Sequence, residues 1–158
     1  MIAAPPPVYP WPIGIGAAYH PTARQRDGDA IGSLRCTKTG ATFAVHVELF
    51  AKRRVVIVPP GIGAGPECSY PLRTTAPTGV VHVARNALTL GDLFRVWGRR
   101  LSSSRLLSFP GKISVFVGGK RWRGEPSAVP LTKHAQIVVE TGGYVAPHSS
   151  YVFSKGDE

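Results

Sequence analysis

The chain has 158 residues, enough for one domain with a substantial core, and 43% of them are hydrophobic. No apolar run approaches the roughly 20 residues that a membrane-spanning helix requires, so we expect no transmembrane segment in this chain. Eighteen glycines and fifteen prolines favour short strands and turns over a helix bundle.

The chain is strongly basic, with 19 Lys and Arg against nine acidic residues and a formal net charge of +10. A charge of this size attracts nucleic acid, anionic lipid or acidic glycan. The basic residues are scattered, however, and we interpret most of them as solvated turn or helix positions. A candidate basic surface comprises Arg95, Arg99, Arg100, Lys120, Arg121 and Arg123. Trp122 is the only aromatic residue beside them that is placed to stack on a base, so nucleic acid is not the predicted partner.

Residues 1–35 are predicted to form a Pro-rich N-terminal arm, and residues 36–158 a single domain. The arm begins with Pro5-Pro6-Pro7, and proline favours extended backbone. The segment MIAAPPPVYPWPIGIG has neither the basic start nor the continuous apolar stretch of a signal peptide. Export of the protein would therefore require a targeting segment that has been removed from this chain.

An alternating pattern over residues 43–49 predicts a strand with one buried face. A polar turn at 51–54 leads to a short apolar strand at 55–58, which Pro59-Pro60 ends. Cys36 and Cys68 bracket this strand pair and are the only cysteines. They are either reduced and buried or joined as a disulfide that staples the hairpin, and we favour the disulfide. It would stabilise the fold by about 3–4 kcal/mol and would persist only in an oxidising compartment.

A third strand is predicted at 80–83, followed by an amphipathic helix at about 89–101. Thr89 and Asp92 have the spacing of a helix-capping pair. The apolar face of this helix consists of Leu90, Leu93, Phe94, Trp97 and Leu101. We expect this face to pack on a sheet, with Gly98 marking a close approach of the two.

The chain then returns to strands, with an alternating segment at 113–117, a Gly118-Gly119 hairpin turn and a return at 120–123. A last strand is predicted at 136–140, and the tail 144–158 is expected to extend across the sheet. Two hairpins, one central helix and a final strand predict an α+β fold. Its sheet is expected to be small, mixed or antiparallel, with about five to six strands covered by one main helix.

The sequence contains no complete catalytic constellation. The serines at 102–104 lack the pattern of a nucleophile elbow, and the acidic residues are too scattered to name a general acid and base. The glycine-rich segment 61–65 does not open a helix as a phosphate-binding loop does. We therefore lean towards a protein that is not an enzyme.

His46 and His82 are the candidate metal ligands. Each lies in a predicted strand, on the face opposite the aliphatic residues, and two strand histidines can meet across a sheet. A zinc or copper site usually needs three or four ligands, and no third one is evident. We therefore expect no bound cofactor, and the metal site is the alternative.

From about Cys36 to its end, the chain resembles an uncharacterised family of bacterial, notably actinobacterial, proteins that are secreted or membrane-anchored. The resemblance is carried by VPPGIG at 58–63, Cys68, GVVHV at 79–83, TLGDLFRVWGRRL at 89–101 and PLTKHAQIVVETG at 130–142. It implies an extracytoplasmic location and names no reaction.

The same resemblance implies a histidine-rich face in the relatives, which could hold a metal. In this chain His46 and His82 are the positions that keep histidine. The other matching positions carry Thr42, Ala44, Arg73, Thr75 and Ala84. An arginine among the former ligand positions opposes cation binding, so we predict that the metal site is lost here.

These observations predict a non-enzymatic binding or structural module of the bacterial cell envelope. It would be secreted or anchored through a segment absent from this chain, and an envelope or membrane protein is a candidate partner. A cytoplasmic protein with free cysteines is the alternative location. The alternative functions are a metal-binding protein or metal-dependent enzyme that uses His46 and His82, and a basic nucleic-acid-binding domain.

Overall fold

The computed structural model describes residues 16–155, so the Pro5-Pro6-Pro7 run and the last three residues lie outside the described range. In chain order its elements are β1 (Phe43–Ala51), β2 (Arg54–Val56), β3 (Leu72–Arg73), β4 (Val80–Val83), α1 (Leu90–Trp97), β5 (Arg105–Leu106), β6 (Phe109–Pro110), β7 (Ser114–Val117), β8 (Lys120–Trp122), a 3₁₀ helix (Pro126–Ala128) and β9 (Gln136–Thr141). No helix in this described part is long and apolar enough to cross a membrane.

Seven strands form one mixed sheet in the order β3-β4-β1-β9-β7-β8, with β2 paired to the C-terminal end of β1. β1 is antiparallel to β2 and β4 and parallel to β9, and β7 is antiparallel to both of its neighbours. β5 and β6 form a separate hairpin. The predicted α+β class is confirmed, but the sheet is larger than predicted because two-residue strands such as β3 are too short to show a period.

β1 lies at the centre of the sheet and is buried along its whole length. Its alternate residues Val45, Val47 and Leu49 belong to the main core, together with the apolar side of α1. We call this side of the sheet the helix face. The other alternate residues, among them His46 and Glu48, point to the opposite side, which we call the tail face.

α1 has the predicted N-terminal cap, since the Thr89 hydroxyl accepts from the Asp92 N–H and the Asp92 carboxylate accepts from the Thr89 N–H. Leu90, Leu93, Phe94 and Trp97 of the predicted apolar face are buried, whereas Leu101 lies beyond the helix. The predicted end at residue 101 is wrong. Gly98 has a φ of 79° and donates its N–H to the Phe94 and Arg95 carbonyls, so it ends the helix instead of marking a close approach to the sheet.

Residues 16–35 form the described part of the predicted arm, and they contact the domain. Tyr19 pairs with β2 through backbone hydrogen bonds to Val55 and Ile57. The Thr22 carbonyl accepts from the Trp97 indole N–H at 3.0 Å, and Leu34 is 1% exposed within the main core. This part of the chain is therefore packed on the domain.

Cys36 and Cys68 are joined as a disulfide with their Cα atoms 5.4 Å apart, which confirms the predicted pairing. Next to the bond, Thr37 and Ser69 exchange two backbone hydrogen bonds of 2.8 and 2.7 Å. Gly65 lies against both sulfur atoms, because a Cβ at this position would come within 2.5 Å of Cys36 Sγ. The disulfide therefore ties the segment before β1 to the segment before β3.

Candidate functional site

The tail face is covered by residues 144–155, which cross it without forming a strand or α-helix. Val145 is buried against a small apolar cluster with Phe50 and Val138. Farther along, the Tyr151 ring stacks on the His46 ring with centroids 3.6 Å apart. The tail thus closes over a set of buried polar side chains that β1 and β9 supply.

His46 lies at the centre of this set and is fully buried. Its Nδ1 is 2.7 Å from Gln136 Oε1, and its Nε2 is 2.8 Å from the Thr78 carbonyl oxygen. Burial is the main cause that lowers the pKa of His46 to about 4. Gly79 makes room for the ring, because a Cβ there would lie 2.9 Å from Nε2. Both ring nitrogens are therefore engaged inside the protein.

Glu48 lies two residues along β1 on the same face and is 5% exposed. Its carboxyl group contacts the Gln136 amide and lies 2.9 Å from His148 Nδ1 in the tail. Burial raises the pKa of Glu48, and the neighbouring His148 opposes that rise. A continuous polar line thus runs from the Thr78 carbonyl through His46, Gln136 and Glu48 to His148.

The donors and acceptors in this polar line allow two arrangements with the same number of protons. With an ionised Glu48, the Gln136 amide N–H donates to the carboxylate and a cationic His46 donates from both nitrogens. With both groups neutral, Nε2–H of His46 donates to the Thr78 carbonyl. The Gln136 side-chain amide is then rotated by half a turn, so that its N–H donates to Nδ1 of His46 and its oxygen accepts the proton of Glu48. Burial favours the neutral arrangement because it places no charge in the interior.

His82 lies on the neighbouring strand β4, on the same tail face as His46. The register pairs Ala44 with His82 and pairs His46 with Val80, so the two histidines are diagonal neighbours. Arg73 of β3 lies beside His82 on its other side, and Thr75 Oγ1 is 3.5 Å from His82 Nε2. His46, His82 and Arg73 therefore lie close together on the tail face.

Within residues 16–155 no three His, Cys, Asp or Glu side chains are arranged to hold a metal ion. A ligand role for His46 would also require it to give up an internal hydrogen bond. The loss of a zinc or copper site at His46 and His82 stays a prediction.

Gln136, His148 and Glu140 are residues of the tail face that sequence reasoning missed. Glu140 of β9 is 2% exposed, and its Oε1 accepts the Val145 N–H at 3.1 Å. Its Oε2 is buried without a hydrogen-bond partner among the described residues. Burial raises the pKa of Glu140 to about 7, which the Val145 N–H and Arg121 oppose. The tail is therefore anchored on two buried carboxyl groups, Glu140 and Glu48.

Two open clefts adjoin at Thr75, which lines both, and we call the pair the β3 groove. The first cleft has a volume of about 510 Å³ and lies beside the disulfide, between the 37–40 and 62–69 segments. The second has a volume of about 360 Å³ and lies between β4 and the tail, where His82, Tyr151 and Phe153 line it. Volumes of this size are typical of ligand sites.

The candidate basic surface is divided between the two sides of the sheet. Arg95 forms an ion pair with Asp92 on α1, and the Arg99 guanidinium lies 5.9 Å from the Trp97 ring on the helix side. The Arg121 guanidinium lies 6.0 Å from the Phe116 ring on the tail side. These arginines therefore do not form one continuous patch.

The sequence matches no family model, and comparisons with curated proteins and with solved structures find no similar protein. The resemblance to an actinobacterial envelope family thus stays an expectation.

Proposed function

We propose that the protein is a non-enzymatic binding domain of the bacterial cell envelope that acts outside the cytoplasm. The Cys36–Cys68 disulfide is the observation that carries this proposal, since such a bond persists in an oxidising compartment and is rare in the cytosol. The motifs that resemble those of secreted or anchored actinobacterial proteins agree with that location.

Binding is favoured over catalysis by the way in which the two polar regions are built. In the polar line both nitrogens of His46 and the carboxyl group of Glu48 are used internally, so these groups hold the tail and the sheet together. In the β3 groove, by contrast, Lys38 and Thr39 are exposed. The groove therefore leaves polar side chains open to a partner, whereas the polar line does not.

The location is tested by fusing the chain to a bacterial secretory leader and, separately, by producing it in the cytosol. Mass spectrometry after thiol alkylation then counts the reactive cysteines in each product. We expect no alkylated cysteine in the exported protein, and a lower thermal midpoint after reduction. Free thiols in a folded exported protein, with an unchanged midpoint, would contradict the proposed compartment.

Envelope binding is tested by co-sedimentation of the oxidised protein with purified actinobacterial cell walls at 0.15 M and 0.5 M salt. We expect saturable binding at the lower salt that is partly retained at the higher one. Binding that disappears at 0.5 M salt would be the non-specific attraction of a basic protein. Either this result or no sedimentation at all would contradict the binding role.

A further inference from the structure

We infer that the β3 groove binds an acidic oligosaccharide, a chain of sugar rings that carry carboxylate groups. This inference rests on the proposed function, because it names the ligand class of that binding domain. Because the two clefts adjoin at Thr75, a linear chain that reaches from one into the other suits the groove better than a compact small molecule.

The walls of the groove are held in place before any ligand arrives. The disulfide and the Thr37–Ser69 backbone pair fix one side. Gly63 lies so close to β3 that a Cβ there would come within 2.0 Å of the Leu72 carbonyl oxygen, which fixes the other side. A groove formed in advance loses little conformational entropy on binding, so weak individual contacts can add up to useful affinity.

The lining of the first cleft matches the chemistry of a charged sugar chain. It presents the hydroxyl side chains of Thr37, Thr39, Ser69 and Thr75. A hydroxyl donates and accepts hydrogen bonds, as sugar hydroxyls do. Lys38 and Arg73 supply two cations in the same cleft, against the single acid Glu67, so a ligand carboxylate is favoured over a neutral ring.

The second cleft adds the rings of Tyr151 and Phe153 to the hydroxyls of Thr78 and Ser154. Tyr151 is fixed by its stacking on His46 and by an edge contact with Phe153 at 4.9 Å. A fixed aromatic ring offers apolar surface with little loss of entropy, which suits the C–H side of a sugar ring. The two ends of the groove therefore differ: one is cationic and the other aromatic.

An acidic peptide is the competing ligand, and the backbone around β3 disfavours it. Peptides commonly bind by adding a strand to an open sheet edge. The outer edge of β3 is already occupied, because Gly61 N–H donates to the Thr74 carbonyl at 2.9 Å and Thr74 N–H donates to the Ile62 carbonyl at 3.0 Å. Recognition in this groove therefore depends on side chains.

The test uses fluorescence anisotropy of the oxidised protein with three labelled probes in 0.15 M salt: hexagalacturonate, its fully methyl-esterified form and hexaglutamate. The ester keeps the sugar rings and removes the charges, whereas the peptide keeps charges and removes the rings. We expect hexagalacturonate to bind at least about tenfold more tightly than either control, since charge-assisted hydrogen bonds are the stronger ones. Equal or tighter binding of the ester or the peptide would overturn the inference.

Matched variants locate the binding. Lys38→Gln and Arg73→Gln should each weaken hexagalacturonate binding by about tenfold, whereas Arg95→Gln removes the same charge from α1 and should leave binding unchanged. Lys38 is exposed, so its variant is expected to fold even if the half-buried Arg73 does not tolerate substitution. Tyr151→Ala should weaken binding, and Tyr144→Ala, which changes a tail tyrosine that is 67% exposed, should not. Equal effects of Lys38→Gln and Arg95→Gln would overturn the assignment to the groove.

The cell-wall assay distinguishes the failure of this inference from that of the proposed function. If hexagalacturonate does not bind but the protein still sediments with cell walls, the groove assignment is wrong and the binding domain stands. If neither probe nor wall binds, both are wrong.

Discussion

The helix face and the tail face of the central sheet are both buried, but by different means. The helix face presents aliphatic residues such as Val47 and Val139 to the apolar side of α1. The tail face presents His46, Glu48 and Gln136 to residues 144–155, which form no strand or α-helix where they cover these side chains. The helix face is stabilised mainly by apolar area, whereas the tail face combines a small apolar cluster with buried hydrogen bonds that have to be satisfied one by one.

This difference predicts that only the tail face responds to pH. Glu140 keeps its proton in the folded state up to about pH 7, well above its ordinary pKa of 4.5. Its contribution to the free energy of unfolding therefore falls as the pH rises between these two values. His46 stays neutral in the folded state down to about pH 4, whereas it takes up a proton at about 6.5 when unfolded. Its contribution therefore falls as pH falls, and the two effects oppose each other between about pH 4.5 and 6.5.

The largest effect is expected on the helix face. Trp97 is 6% exposed and donates its indole N–H to Thr22, so Trp97→Ala should lower the free energy of unfolding by about 3–5 kcal/mol. Chemical denaturation should give the same loss at pH 5 and pH 8, because no titrating group is involved. Tyr144→Ala, at an exposed position, is the control and should cost less than about 0.5 kcal/mol. A loss below about 1 kcal/mol for Trp97→Ala would contradict the assigned burial.

The disulfide provides a change that should affect both faces alike. Replacing Cys36 and Cys68 together by Ser should cost about 3–4 kcal/mol, since the 32-residue separation leaves a long loop open in the unfolded chain. Hydrogen exchange should show protection falling by the same factor in α1 and in β9. Loss of protection confined to one face would mean that the faces unfold separately.

The elements of the helix face could be predicted because their signals are local. The alternation in β1, the Thr89 and Asp92 cap and the apolar side of α1 each lie within about ten residues. The predicted end of α1 was wrong because a glycine at position 98 is compatible with both a destabilising position inside the helix and a left-handed cap at its end. Only the φ of 79° decides between them.

The tail face could be predicted only in part because its contacts join distant residues. Both strand histidines fall on the expected face. His46 meets Gln136 across 90 positions and Glu48 meets His148 across 100. The parallel pairing of β1 with β9 sets the first contact, and the path of an irregular tail sets the second. Neither leaves a periodic pattern in the sequence.

Glu140 gives the sharpest test of the pH difference. Glu140→Gln keeps an oxygen to accept the Val145 N–H and removes the charge, so at pH 8 the variant should be more stable than the wild type by up to about 3 kcal/mol. The gain should shrink steadily as the pH is lowered from 7 towards 4.5, because protonating the wild-type carboxyl group on folding then costs less. Denaturation curves from pH 4.5 to 8 measure this, with exposed Glu125→Gln as the control. A gain that does not depend on pH would contradict the assigned shift.

The smallest predicted effect lies at the solvent end of the polar line. The His148 side chain is 23% exposed and holds Glu48 from the tail, so His148→Ala should cost about 1–2 kcal/mol at pH 7. Exchange of the amides at 144–153 should quicken while those of α1 stay unchanged, and His20→Ala, at an exposed position, should alter neither. If α1 and the tail instead lose protection together, the tail belongs to the main cooperative unit and does not open on its own.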